Sequence, residues 1–231
     1  MSDAANIERC QAFVRYQLKP AEGAATHSQT KLAVTISRLA GSGAWMVSEK
    51  LADYLQRHAP AENVRWTVFD KELVDRILQD HNLPRTLAQF MPEDRVSAIG
   101  DAVEELLGLH PPSSSLVHQM TETILQLAEL GNVILVGRGA NVITASLPHV
   151  FHVRLIGSLE RRIERVQARH RISREAARKF IRKEDAGRRR YLLRYLGKAI
   201  DDPLLYHLII NTDWVPVDRA AELIAQAMLR R

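Results

Sequence analysis

A glycine-bearing turn joins a β-type run to a helical segment at residues 34–47, with the sequence VTISRLAGSGAWMV. The run before the turn is rich in β-branched residues, which favour strands, and residues 42–57 after it have apolar residues at helical spacing. Glycine lets the chain turn tightly there and lets the backbone approach a bound group, because it has no Cβ. A strand that feeds a helix in this way points backbone N–H groups and the positive helix end at one spot, which suits a phosphate.

Four further β-type runs follow, and helical segments separate them. The run at 133–136 has no polar residue, which is typical of a strand buried on both faces. The alternation predicts an α/β fold of three layers, in which a parallel sheet carries helices on both faces. The predicted strands are 32–36, 64–69, 132–136, 150–156 and 207–210, and the predicted helices are 42–57, 71–79, 116–130, 158–169, a long one capped by Ser173, and 217–229.

The first 31 residues are predicted to form an extension outside this domain. Residues 6–18 have the spacing of a short amphipathic helix, and 19–31 form a polar linker with several small residues. The chain therefore divides into a helical extension and linker, 1–31, and one domain, 32–231. The extension's helix is a candidate surface for a homodimer.

Composition and patterning predict a cytoplasmic protein. The chain has one cysteine, Cys10, which excludes an internal disulfide and a zinc site built on several cysteines. Residues 1–20 lack the apolar run of a secretory signal, and no stretch approaches the roughly 18 apolar residues that a membrane helix needs. The histidines lack metal-ligand spacing, so no metal site built on histidines is predicted.

The glycine loop departs from the usual phosphate-loop (P-loop) pattern, Gly-x4-Gly-Lys-Ser/Thr. Ala44 stands where the Lys would be, and Trp45 follows it. Arg38 could bring the missing cation; a solvated loop arginine, and a turn that uses glycine only for steric reasons, are the alternatives. The residues predicted to hold a phosphate are Gly41, Ser42, Gly43 and Ala44.

A second glycine-bearing turn follows the strand at 133–136 and contains Gly137, Arg138 and Gly139. In a doubly wound sheet the ligand crevice lies beyond the carboxyl ends of the strands. Arg138 would stand at that edge beside the first loop, where a guanidinium can grip a phosphate with two parallel hydrogen bonds. A surface arginine flanked by turn glycines is the alternative.

With these segments the chain resembles the cytidylate kinase-like family, a branch of the nucleoside monophosphate kinases, over about residues 32–230. The resemblance depends on an ordered set of short segments, none of which is diagnostic alone. They are Thr35-Ile-Ser-Arg38 with Gly41-Ser-Gly43, Phe69-Asp-Lys-Glu-Leu-Val74, Val136-Gly-Arg-Gly-Ala140, Ser158-Leu-Glu-x-Arg162, Lys183-Glu-Asp-x-x-Arg188 with Tyr191, Asp202-Pro, and Tyr206-His-Leu-Ile-Ile-Asn-Thr212.

The resemblance implies a P-loop NTPase fold of nucleoside monophosphate kinase type with strand order 2-3-1-4-5, ATP as donor, Mg²⁺, and a nucleoside monophosphate acceptor. Asp70 and Arg76 match the ends of the family's Asp-Thr-Gly-x-x-Tyr-Arg element, which implies that they hold the acceptor phosphate. Gly137 and Arg138 match its Asp-Gly-Arg-Asp turn, although both Asp residues are replaced here. Asp185 and Arg188 match its lid pattern, Asp-x-x-Arg.

Positive charge is concentrated in one part of the chain. Residues 154–198 contain sixteen Lys or Arg and five Asp or Glu, whereas the whole chain carries +5. Phosphoryl transfer needs positioning and cancellation of charge, and an arginine-rich helical lid, about 165–195, would supply both and exclude water. Some of these arginines are expected to be solvated or paired with glutamates. Nucleic acid is disfavoured as a partner because no aromatic residue interleaves with the basic ones before Tyr191.

The predicted function is transfer of a phosphoryl group from ATP to a nucleoside monophosphate, CMP by resemblance, with nucleotides as the partners. Asp70 or Asp185 would orient a magnesium-bound water or hold an arginine. The alternative is a sensor of the same fold that binds a nucleotide or phosphate without turnover, because the P-loop Lys is absent. The residues predicted to act in catalysis are Arg38, Arg138, Arg182, Asp185 and Arg188.

Overall fold

The computed structural model describes residues 32–58, 65–70 and 115–231, together with the single helical residues Ile99, Ala102, Val103 and Leu106. Eleven helices and strands lie in the three continuous ranges. They are β1 (Ala33–Arg38), α1 (Ala44–His58), β2 (Thr67–Phe69), α2 (Ser115–Leu130), β3 (Val133–Val136), α3 (Ala140–Ile143), β4 (Val150–Ile156), α4 (Leu159–His170), α5 (Arg174–Leu196), β5 (Leu208–Asn211) and α6 (Val217–Leu229), with one 3-10 turn at Pro203–Leu205.

The five strands form one parallel sheet in the order β2-β3-β1-β4-β5. β1 lies at the centre, where Ile36 pairs with Val136 of β3 and Val153 of β4. The predicted α/β class, the parallel sheet and the strand order implied by the resemblance are confirmed. Because all strands run the same way, Arg38 at the end of β1 lies at the same edge of the sheet as Asp70, the 137–139 turn and Gly157, which follow β2, β3 and β4.

Apolar clusters cover both faces of the sheet. On one face, α1 and α6 pack on Val34 and Ile36, and on the other, α2, α3 and the end of α5 pack on Leu135 and Val150. A third, smaller cluster joins α4 and α5 to Ala40, in the loop after β1. It contains Ala40, Ile163, Val166, Ala177 and Ile181. The two arginine-rich helices are therefore packed against the glycine loop by apolar contacts.

Serine caps position both arginine-rich helices. The side chain of Ser158 accepts a hydrogen bond from the Arg161 N–H, and that of Ser173 accepts one from the Ala176 N–H. These bonds satisfy N–H groups that have no partner within the helix. Both caps are where the sequence predicts them.

Other details differ from the sequence-based expectations or lie outside the described residues. α3 was not predicted, because four residues after a glycine turn give no helical period. The second strand was predicted at 64–69, whereas β2 begins at Thr67, so Trp66 precedes it. The predicted extension at 1–31, the helix at 71–79 and Arg76 fall outside the described residues. Among the described helices, none combines the length and the apolar character needed to cross a membrane.

Candidate functional site

The glycine loop between β1 and α1 is packed tightly against α4. Gly41 has φ +78°, and a Cβ placed on it would stand 2.6 Å from the main-chain oxygen of Arg162. A side chain at this position would therefore meet the backbone of α4 as well as a conformation that L-residues disfavour. Ser42 is buried beside it, and its hydroxyl has no hydrogen-bond partner among the described residues. The loop is a compact turn whose shape α4 fixes.

The peptide groups of Ala40 are held on both sides by charged side chains. Its N–H donates to Asp185 Oδ1 at 2.7 Å, and its carbonyl accepts from Arg162 Nη1 at 3.1 Å. The same Arg162 Nη1 lies 2.7 Å from Asp185 Oδ2, and both side chains are largely buried. Both carboxylate oxygens of Asp185 are thus occupied by protein donors. This arrangement favours a role in holding the loop and an arginine over one in orienting a magnesium-bound water.

The guanidinium of Arg38 lies over the second glycine turn. A Cβ at Gly137 would overlap Arg38 Nη1, so only glycine leaves room for this side chain. Arg138, the next residue, has φ +53°, a conformation that costs a non-glycine residue about 1 kcal/mol. Loop and turn therefore meet at the sheet edge, with an arginine from each.

Two other arginines act on Arg38 at this edge. Burial first, and then the charges of Arg188 and Arg138, lower the pKa of Arg38 to about 10. The carboxylates of Asp70 and Glu184 act in the opposite direction. Arg38 stays charged at neutral pH, and no residue of the described ranges makes a hydrogen bond or ion pair with its side chain. A cluster of this kind is stabilised by an anion that accepts hydrogen bonds from several guanidinium groups.

Arg188 connects this cluster to α5. It pairs with Glu184 at 2.9 Å and approaches Asp185 at 3.4 Å. Burial is the main cause that lowers the pKa of Arg188, and the charges of Arg154 and Arg162 lower it further. The helix therefore presents Arg188 to the sheet edge while acidic neighbours on the same helix hold it in place.

A buried arginine on β4 was not predicted as part of the site. Arg154 is 3% exposed, and its guanidinium donates to Ser37 Oγ at 2.9 Å and pairs with Asp201 at 2.6 Å. Tyr206 lies beside it, with its ring centroid 5.5 Å from the guanidinium carbon. The signal available in the sequence was an arginine inside a strand whose other residues, except His152, are apolar, since such a residue must find buried partners.

Arg182 lies apart from the three clustered arginines. Its side chain is exposed and lines a cavity of about 570 Å³ with Leu39 and Asp185, on the α4–α5 side of the loop. It is not among the groups with the largest effects on the pKa of Arg38. The structure thus brings Arg38, Arg138 and Arg188 together near Asp70 and leaves Arg182 at the periphery.

A second cavity, of about 720 Å³, opens on the other side of Leu39. Gly157, Ser158 and Arg161 line it, and the loop after β5 contributes Trp214. The Trp214 side chain is 84% exposed, which is unusual for a large aromatic residue. The cavity offers a flat aromatic surface next to the glycine loop.

Magnesium would find few protein ligands here. The described residues contain no group of three His, Cys, Asp or Glu side chains that could hold a metal ion. Mg²⁺ at phosphate-transfer sites is commonly bound by one or two carboxylates together with substrate phosphates. The charge of Asp70 acts on Arg38 at the sheet edge, and both oxygens of Asp185 accept hydrogen bonds from the protein.

Comparison with known proteins gives consistent matches. A cytidylate kinase of Pyrococcus horikoshii is 29% identical over 191 residues, which are 80% of this chain and 83% of that protein. The crystal structure of an uncharacterised protein from Eubacterium ventriosum has the same fold, with a TM-score of 0.67 and 22% identity over 87% of this chain and 99% of that one. The sequence profile of the cytidylate kinase-like family matches residues 33–214, which include all five strands and both arginine-rich helices. The chain therefore belongs to the cytidylate kinase-like family.

Proposed function

We propose that this protein transfers a phosphoryl group from ATP to a nucleoside monophosphate, with CMP as the acceptor. The observation that carries the proposal is the convergence of Arg38, Arg138 and Arg188 at the sheet edge beside the glycine loop. Charge that develops on a moving phosphoryl group is best stabilised by donors already in place. Membership of the family and the similarity to a cytidylate kinase support the reaction and the acceptor.

The donor nucleotide is proposed to lie across Leu39. Its phosphates would bind the amides of residues 41–44 and the first turn of α1, where the helix end carries partial positive charge. Its base would enter the cavity lined by Gly157, Arg161 and Trp214, and would stack on the exposed indole ring. Stacking on an aromatic side chain contributes about 1–3 kcal/mol per base, so this contact would account for a measurable part of donor affinity.

The acceptor is proposed to lie on the β2–β3 side of the edge. Arg138 reaches this region from the 137–139 turn, and the resemblance assigns Asp70 and Arg76 to the acceptor phosphate. Arg38 lies between the two nucleotides, because its own strand leads to the donor loop and its guanidinium lies over the acceptor turn. It would therefore contact the phosphoryl group during transfer.

Closure over the reacting groups is assigned to α5 with the end of α4, about residues 165–195. Arg188 would cancel charge on the transferred group, and the apolar contacts of the helices would exclude water. Mg²⁺ would neutralise the donor phosphates, with Asp70 as the nearby carboxylate. No side chain is required as a general base, since positioning and charge stabilisation dominate this chemistry.

A nucleotide sensor without turnover is the second candidate. It is favoured by Ala44, which replaces the Lys that normally contacts the transferred phosphate. A sensor would be stabilised by ATP and would form no product.

The test is incubation with ATP, Mg²⁺ and each of the four common nucleoside monophosphates, followed by separation of the diphosphate products. We expect CDP to form fastest, and we expect Arg188→Ala to lower the rate by about 100-fold, as loss of one transition-state donor does. Arg190→Ala is the matched control, because Arg190 is an exposed arginine on the same helix. ATP-dependent thermal stabilisation without product would favour the sensor, and no stabilisation by any nucleotide would exclude both.

A further inference from the structure

We propose that Arg162 and Asp185 are positioning residues that fix the glycine loop in its nucleotide-binding shape before any ligand arrives. They act through the Ala40 peptide groups and need not touch the nucleotide. The inference deepens the proposed function, on which its kinetic part rests. We call the unit formed by Arg162, Asp185 and Ala40 the loop clamp.

The contacts of the loop clamp form a closed ring. Asp185 Oδ1 accepts from the Ala40 N–H at 2.7 Å, Arg162 Nη1 donates to the Ala40 carbonyl at 3.1 Å, and the two side chains pair at 2.7 Å. The Arg162 Nε also donates to the Gly157 carbonyl at 3.0 Å. The side chains of Arg162 and Asp185 thus make four hydrogen bonds, which join the glycine loop to α4, α5 and the end of β4.

Burial makes the geometry of the clamp well defined. The Arg162 and Asp185 side chains are 10% and 15% exposed. Hydrogen bonds between charged groups shielded from water are shorter and stronger than neutral ones, and removing one partner leaves the other charge buried without its counterion. The clamp therefore responds sharply to loss of either side chain.

The need for a clamp follows from what the loop lacks. In the usual phosphate loop a Lys contacts the phosphates and a Ser or Thr hydroxyl contacts Mg²⁺, whereas this loop has Ala44, Trp45 and Met46 at and after the Lys position. Binding then depends on backbone amides, which are effective only when they already point at the ligand. The clamp fixes the peptide groups immediately before Gly41, and Asp185 Oδ1 also approaches Arg188 at 3.4 Å. Glu184 lies closer to Arg188, at 2.9 Å, so the position of Arg188 does not depend on the clamp alone.

A ligand-free measurement tests the clamp independently of activity. In Asp185→Asn the carboxylate charge is lost at constant size, and we expect amide hydrogen exchange in residues 39–44 to become at least about ten-fold faster, as local opening becomes easier. Arg162→Lys keeps the positive charge but cannot donate to Ala40, Asp185 and Gly157 at once, so it should have the same effect. Glu160→Gln is the control, because Glu160 also pairs across α4 and α5, with Arg174 and Arg178, but at the exposed surface.

Steady-state kinetics test the consequence for the reaction. We expect the KM for ATP to rise about ten-fold in both clamp variants, while kcat changes by less than about three-fold and the Mg²⁺ concentration for half-maximal rate stays constant, as a change in ground-state positioning requires. A shifted Mg²⁺ dependence would make Asp185 a metal ligand, and a lower KM would mean that its carboxylate competes with phosphate for the Ala40 N–H. Either result, or unchanged exchange at 39–44, overturns the proposal. If the wild-type protein turns over no nucleotide, the proposed function fails and hydrogen exchange alone decides the clamp.

Discussion

Arg38 illustrates how position, rather than residue type, favours an anion-binding role. Its strand ends at the sheet edge, Gly137 leaves room for its guanidinium, and two further arginines raise the cost of its charge. Because its pKa of about 10 still leaves it charged at neutral pH, a bound anion would relieve the repulsion without loss of a proton. An oxyanion held there would return the pKa towards its ordinary value.

Two glycines of the same loop differ in what surrounds them, which allows a paired prediction. Gly41 and Gly43 have φ +78° and +82°, but a Cβ at Gly41 meets the Arg162 carbonyl at 2.6 Å, whereas one at Gly43 meets only Met46 Cε at 3.6 Å. Gly43→Ala should lower the free energy of unfolding by about 1 kcal/mol through backbone strain alone. Gly41→Ala should lower it by about 2 kcal/mol more, since overpacking against a main-chain atom cannot be relieved by a rotamer change.

Urea denaturation of the two variants measures the difference directly. Equal destabilisation would mean that the loop is free to move away from α4. It would contradict the close approach of loop and helix on which the shape of the anion site depends.

Residues at strand ends could be predicted from the sequence, because parallel strands bring their carboxyl ends together whatever the detailed packing. The position of Arg138 at this edge was predicted in this way, whereas Arg38 was singled out from its place in the glycine loop. Arg154 could not be placed, since its partners Ser37 and Asp201 are 117 and 47 positions away in the chain. Such contacts depend on how elements pack, and neither spacing nor periodicity encodes them.

At the scale of elements, α5 is a long helix with a glycine near its middle. It runs for 23 residues, and the glycine is Gly187. A Cβ added there meets nothing within 4 Å. Gly187→Ala should therefore raise the free energy of unfolding by about 0.5–1 kcal/mol, because alanine loses less backbone entropy in a helix.

Thermal unfolding monitored by circular dichroism checks this expectation, and a rise in Tm of about 2 °C corresponds to it for a chain of this size. The reverse substitution at an exposed position of α4, Ala168→Gly, is the control and should lower Tm by a similar amount. A loss of stability in Gly187→Ala would show that α5 bends or opens at this position in solution.

Elements with a strong sequence signal were predicted well. The serine caps of α4 and α5 and the bounds of α6 agree with the structure because capping and helical periodicity are local properties. The pairing of Asp185 with Ala40 was not predicted. It follows from the apolar contacts that seat α5 on the loop, which become visible only once the helices are packed.

At the scale of the whole molecule, the central strands carry different chemistry on their two faces. Val34 and Ile36 face the α1–α6 cluster, while the alternate positions form polar pairs between β1 and β4. Thr35 bonds to His152 and Ser37 to Arg154. The β-type runs in the sequence identified these strands as buried, but they did not show that one face combines apolar packing with a ladder of hydrogen-bonded pairs.

That ladder makes the stability of the fold depend on pH. His152 is buried against Thr35 and stacks on His207 with ring centroids 4.9 Å apart. Burial, and then the charges of His207 and Arg231, lower the pKa of His152 to about 4, whereas its ordinary value is 6.5. Burial and Arg231 also lower the pKa of His207.

Below pH 6.5, His152 is therefore protonated in the unfolded chain, whereas in the folded protein it stays neutral until about pH 4. The free energy of unfolding should fall across this interval by up to about 3 kcal/mol from this residue.

His152→Asn keeps an amide near Thr35 and removes the titrating group, so the difference in the free energy of unfolding between wild type and variant should shrink as pH falls from 7 to 4. Urea titrations at several pH values measure this difference. The contributions of the carboxylates cancel in it, because both proteins have the same ones. His170→Gln, at an exposed histidine, should leave the pH profile unchanged. A constant difference between wild type and His152→Asn would mean that His152 accepts its proton in the folded state as readily as in the unfolded one, and that the ladder between β1 and β4 is open to water.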